Sequence, residues 1–180
     1  MLHERTKAGE GIPGIVAKWH AQMEKQYLAI RDDRPAVQRA YICSACTAPT
    51  SLEVQKNMMA ARFYAWYAHE NLNLFARAPH AYLPVLLSDK HPAERALALR
   101  FGLELLEQSS VVLVCGNRLS SGMRGELKRA AELGIPAKVF HDELLQDVRK
   151  IYTRAGGNKS LVELAEEPGF LRHGAEELFG

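Results

Sequence analysis

Val111-Val112-Leu113-Val114-Cys115 restricts the fold more than any other feature of this chain. Five apolar residues stand in a row and run straight into the polar turn Gly116-Asn117-Arg118. A strand with one wet face alternates apolar and polar residues. An unbroken run is buried on both faces, as the inner strands of parallel sheets are. Downstream, Ser121 to Leu133 has helical spacing closed by Gly134, and Ala137 to Phe140 reads as a last strand. Upstream, Ala40 to Cys43 and Leu74 to Ala76 read as short strands, Ser51 to Glu70 as a helix, and Pro92 to Gln108 as a helix with proline in its first turn. Strands and helices in alternation predict an α/β, doubly wound (Rossmann- or flavodoxin-like) sheet. It would be mostly parallel, of about four or five strands, with helices on both faces.

Composition narrows the function classes. With 180 residues and 47% hydrophobic content, one core needs neither disulfides nor metal to hold it. Twenty-three Lys and Arg against 21 Asp and Glu leave a charge of +2, so no nucleic-acid polymer is expected as partner. No apolar run approaches the roughly 20 residues of a membrane span, and the polar stretch Met1 to Gly11 does not read as a signal peptide. Three cysteines, an odd count without a disulfide framework, favour a reducing, cytoplasmic setting. Ile15, Val16, Trp19, Met23, Tyr27 and Ile30 give Ile12 to Ile30 an amphipathic helical pattern that ends at Asp32-Asp33-Arg34-Pro35. The chain therefore divides into an N-terminal helical arm (1–38), an α/β domain (39–150) and a C-terminal tail (151–180) in which Ser160 to Glu167 reads as a helix. The arm would pack on the domain or form a homodimer or higher oligomer.

In doubly wound sheets ligands sit beyond the carboxyl ends of the strands. That rule selects the loops Ser44 to Thr50, Pro79 to Pro84 and Gly116 to Gly122. In the last, Gly116 and Asn117 open a turn, Ser120, Ser121 and Gly122 start a helix, and Glu126 lies about a turn further in, pointing toward the same crevice. Free N–H groups at such a helix start favour an anion, commonly phosphate. The same residues also fit a plain serine N-cap followed by an ordinary glutamate. In the first loop Ser44, Thr47 or Thr50 could add phosphate or sugar contacts, or Ser51 could simply cap a helix. His80 and Tyr82 would orient a base or sugar, or act as structural hydrogen-bonders. Cys43-Ser-Ala-Cys46 has CxxC spacing but stands alone without nearby histidines, so no metal and no cofactor are expected. The signatures of serine hydrolases, P-loop enzymes and dinucleotide binders are absent from the sequence.

Tyr41-Ile42-Cys43-Ser44, Ala78 to Pro84, the run Val111 to Glu126 and Gly134-Ile135-Pro136 together resemble the nucleoside 2-deoxyribosyltransferase superfamily, over roughly Arg39 to Leu145. Within it, Ser120-x-Gly122-x-x-x-Glu126 is similar to the S-x-G-x-x-x-E segment of the nucleoside-monophosphate glycosidase branch. The resemblance implies a nucleoside or nucleoside 5′-monophosphate as the small-molecule partner and Glu126 as nucleophile at the anomeric carbon. Tyr41 would position that glutamate. Ser120, Gly122 and Ser44 would hold the 5′-phosphate, and His80 and Tyr82 would lie along the base and sugar. A covalent glycosyl-enzyme would then pass the sugar to water or to a second base.

The sequence also departs from that family. Ser109-Ser110 stand where an acid helping the base to leave is common, and Asn117 stands where Asp is frequent. Asp89, Asp142, Glu143 or a second subunit are the candidate replacements. The alternative is a non-catalytic nucleotide-binding or sensing module of the same fold. A phosphoribohydrolase of the lysine-decarboxylase-like type is disfavoured, because Gly122-Met123-Arg124-Gly125 lacks that group's paired glycines and threonine.

Overall fold

The computed structural model describes residues 38–180 and, before them, Ala21. The helix expected over Ile12 to Ile30, and the oligomer interface expected of it, lie outside the described residues. Residues Gln38–Gly180 form one compact unit. Its five strands are β1 (Arg39–Cys43), β2 (Phe75–Arg77), β3 (Val111–Val114), β4 (Ala137–Val139) and β5 (Val162–Leu164). All pair in parallel, in the order β2-β1-β3-β4-β5. The α/β doubly wound fold expected from the strand–helix alternation is thus the fold observed.

Handedness explains the layers. From β1 the chain steps outward to β2 through α1 (Ser51–Leu72), then returns past β1 to β3 through α2 (Leu83–Leu86) and α3 (Pro92–Glu107). It continues the same way through α4 (Ser121–Glu132) and α5 (Asp142–Arg154). Right-handed crossovers place helices on opposite faces when the stepping direction reverses. Accordingly Tyr41, Cys43, Val112, Val114 and Val139 pack against Leu106, Met123, Leu127 and Val148 of α3, α4 and α5. Ala40, Ile42 and Leu113 face Ala60, Ala61, Tyr64 and Ala68 of α1 on the other side. The reversal lies between β1 and β3, so the crevice opens at the carboxyl ends of those two strands.

The C-terminal segment belongs to this unit. Instead of a helix over Ser160 to Glu167, a 3-10 turn (Lys159–Leu161) leads into β5, where Val162 pairs with Ala137 and Leu164 with Val139. The unpaired edge of β4 offers ladder hydrogen bonds that outweigh the local helical preference of the sequence. Beyond it Leu171 is fully buried, and α6 (Ala175–Phe179) adds Leu178 and Phe179 to the α1 face. Among the described residues no helix is long and apolar enough to cross a membrane.

Candidate active site

Glu126 stands on the second turn of α4, with its side chain 13% exposed. The Tyr41 hydroxyl, on β1 and fully buried, donates a 2.8 Å hydrogen bond to Glu126 Oε1. His80, from the 3-10 turn Pro79–Ala81 after β2, places Nε2 3.0 Å from the same oxygen, close enough to pair as charges but not aligned as a hydrogen bond. Its ring also meets Tyr41 edge-on, 6.4 Å between centroids. Side chains from β1 and from the turn after β2 thus converge on one oxygen of the carboxylate that α4 carries. The other oxygen, Oε2, is buried and has no partner.

Electrostatics follow from that packing. Burial, then the Glu126 charge and the hydrogen bond to it, hold the Tyr41 hydroxyl well above its usual range, so it stays a donor. For His80, burial alone would favour the neutral ring. Contacts with Cys46 and Glu126, and the carboxylate's charge, outweigh burial and raise it to about 10. His80 is therefore an imidazolium at neutral pH, buried beside a carboxylate.

Two adjoining cavities of about 500 and 400 Å³ share Cys46, Thr47, His80, Ser121 and Gly122 as walls, and their sizes suit a small-molecule site. The larger contains Glu126 and is lined on one side by Leu83, Leu87, Leu99 and Leu103, with Asp89 and Arg95 also on its wall. The smaller is hydroxyl-rich, bounded by Ser44, Ser120, Ser121 and Gly122 at the start of α4. Ser44 is 3% exposed, and its hydroxyl has no partner. Ser120 is the N-cap, its Oγ accepting from the Met123 N–H at 3.3 Å, so the capping role and a place in the cleft wall coexist.

Three anticipated residues stand elsewhere. Gly116 donates its N–H to the Leu171 carbonyl at 2.8 Å, and Asn117 lies against Gly174, so both secure the C-terminal segment. Tyr82 is exposed, packs edge-on against Phe101, and does not line either cavity. Thr50, not Ser51, caps α1 in a capping box with Glu53. Ser109 and Ser110 precede β3 at the amino end of the sheet, bonded to the Leu105 and Arg39 carbonyls, so an acid at either position would be at the wrong end of the strand. Of the replacement acids, Asp89 lines the cleft, whereas Asp142 and Glu143 start α5 away from it.

The sequence reading missed the aliphatic wall, Arg95 and Gly102. A Cβ on Gly102 would come 3.3 Å from the Tyr41 hydroxyl, so the glycine lets α3 approach that hydroxyl. The available signal was a glycine inside an otherwise apolar helix, which costs about 1 kcal/mol against alanine unless something needs the space. Cys43 lies buried in β1 while Cys46 faces the cleft, so the CxxC pair is divided between core and site. Among the described residues no group of three His, Cys, Asp or Glu is arranged to hold a metal ion.

The segment carrying Tyr41, Ser44, His80 and Glu126 is also the segment that a family model matches. That model is described as a domain of unknown function, DUF7768, and it covers residues 38–140. The chain belongs to the DUF7768 family. No curated protein and no solved structure matches it. The match runs from β1 through β4, so the three side chains meeting at Glu126 Oε1 and the serine-lined cavity all fall inside the DUF7768 region, while α5, β5 and α6 lie beyond it.

Proposed function

We propose that this cleft is the site of an N-glycosidase or 2-deoxyribosyltransferase-like reaction on a nucleoside or nucleoside 5′-monophosphate, with Glu126 as nucleophile. The observation that carries the reading is the asymmetry of its carboxylate. Oε1 is held by Tyr41 and His80, while Oε2 is buried without a hydrogen bond, on a residue that lines the cleft. A carboxylate kept only for structure would have both oxygens satisfied, because an unpaired buried acceptor costs about 1–3 kcal/mol.

In this reading Oε2 attacks the anomeric carbon and the C–N bond breaks toward the base. The resulting glycosyl ester is then opened by water or a second base. The aliphatic compartment receives the planar base, leaving the sugar beside Glu126. The 5′-phosphate lies in the smaller cavity, against the Ser44 hydroxyl and the N–H groups at the start of α4, where the helix favours an anion. The resemblance to the deoxyribosyltransferase superfamily supports the same assignment.

Chromatographic detection of free base from a panel of nucleosides and 5′-monophosphates is the test. Wild type releases base, and Glu126→Gln loses on the order of 10⁴-fold or more, as enzymes do on losing a nucleophile. Release unchanged in that variant, or no release from any substrate, removes the reading. Retained nucleotide binding without release would leave a binding module.

A further inference from the structure

Cleavage of a neutral base needs a proton at the departing nitrogen, and the residues at 109 and 110 stand at the wrong end of the sheet to give one. The donor has to face the cleft, carry a proton at neutral pH, and lie beside the nucleophile. Asp89 faces the cleft, is exposed, and accepts a hydrogen bond from Thr47 at 3.3 Å. Arg95 is an exposed guanidinium and does not release its proton. Cys46 and Tyr41 face His80, and the Tyr41 hydroxyl, held well above its usual range by burial and the Glu126 charge, keeps its proton in the bond to Glu126. His80 lines both cavities and lies 3.0 Å from Glu126.

Resting on the glycosidase reading above, we infer that His80 is a catalytic residue, the general acid that protonates the departing base through Nε2 and the general base that then activates water. In the first step Oε2 of Glu126 forms a bond to the anomeric carbon. The C–N pair leaves with the base, and that nitrogen takes the proton from His80 Nε2. In the second step the neutral ring removes a proton from water, the water oxygen bonds the same carbon, and the ester C–O pair returns to Glu126.

The geometry supplies the timing. Before reaction the Glu126 charge and its contacts hold the proton on His80 against the effect of burial. Forming the ester removes that charge, and burial alone remains, which favours the neutral ring. Proton release is thereby tied to the bond that Glu126 makes. The groups facing His80 are Cys46 from the β1 loop, Tyr41 from β1 and Glu126 from α4.

The test compares two leaving groups on one sugar phosphate: the natural base of the best nucleotide, and 4-nitrophenol, whose phenolate departs without a proton. For His80→Gln, kcat/KM, which reports only the step in which the leaving group departs, falls about 10²–10⁴-fold for the nucleotide, the worth of a general acid, and less than about tenfold for the aryl glycoside. Its surviving cleavage also shows a folded site. Equal losses on both substrates, or no loss on either, would overturn the inference, since a merely positioning histidine does not read the leaving group. So would a leaving-group-dependent loss in Asp89→Asn instead. Should His80→Gln fail to fold, the wild type carries the test. Nucleotide cleavage then shows an alkaline limb that aryl cleavage lacks, and a limb shared by both overturns the role. If wild type cleaves neither substrate, the glycosidase reading itself fails, an outcome distinct from these.

Discussion

The two ends of the sheet use the same side chains to opposite ends. At the amino end Tyr152 is fully buried and donates to the Ile135 carbonyl at 2.7 Å, and Ser109, 7% exposed, donates to the Leu105 carbonyl at 2.8 Å. At the carboxyl end Tyr41 is equally buried but donates to a carboxylate, and Ser44, more buried than Ser109, has no partner. All four buried side-chain polar atoms that make no hydrogen bond among the described residues follow the carboxyl ends of strands: those of Ser44 and Glu126, and those of His80 and His141, which lie within ion-pair distance of a carboxylate. Folding satisfies buried polar groups where stability alone decides. Leaving them unsatisfied at one end is a cost that a ligand would offset, so the comparison separates the end that holds the fold together from the end that carries the proposed site.

Matched substitutions can break that division. The largest contrast is expected between the tyrosines. Tyr41→Phe removes a hydrogen bond to a charged group and lowers base release about 10–100-fold. Tyr152→Phe leaves the rate alone and costs about 1 kcal/mol of unfolding free energy. Steady-state kinetics and denaturant titrations on both variants read this directly, and a loss of rate shared by both would erase the distinction.

The serines give a smaller effect of opposite sign. Ser44→Ala raises KM for a 5′-monophosphate about tenfold, with little change for the free nucleoside, and holds or raises the melting temperature because it removes an unpaired buried hydroxyl. Ser109→Ala lowers stability by about 1 kcal/mol and leaves both KM values in place. A destabilised Ser44→Ala would mean that its hydroxyl is already satisfied.

The mildest expectation concerns pH. Folding raises His80 from its ordinary 6.5 to about 10, so the native state holds that proton more tightly than the unfolded chain. The stability it contributes is complete below about pH 6.5 and is lost as pH rises toward 10. Chemical denaturation across that window should show wild type weakening, and His80→Gln should lack that part of the slope.

Much of this was legible in the residues, and what was missed has physical causes. The apolar run at Val111 announced a doubly buried strand, and the serine–glycine helix start placed Glu126 near the crevice. Residues Tyr41 and Glu126 meet across 85 positions of sequence, a contact for which the strand order is required. The family resemblance pointed to it, and spacing alone did not. β5 was hidden because three residues, with Glu163 and Leu164 exposed, carry too short a pattern to outvote local helical preference. Gly116 and Asn117 occupy the expected turn, but their partners come from the C-terminal segment, which no local signal reveals.

Stereochemistry tests the central claim, attack by Glu126 Oε2, most directly. A β-nucleotide is cleaved in the presence of methanol, and the anomer of the methyl glycoside is read by NMR. Two displacements through a glycosyl-Glu126 ester predict the β-methyl glycoside, with configuration retained. An α-methyl glycoside would mean that the acceptor attacks the anomeric carbon directly, and Glu126 would not be the nucleophile.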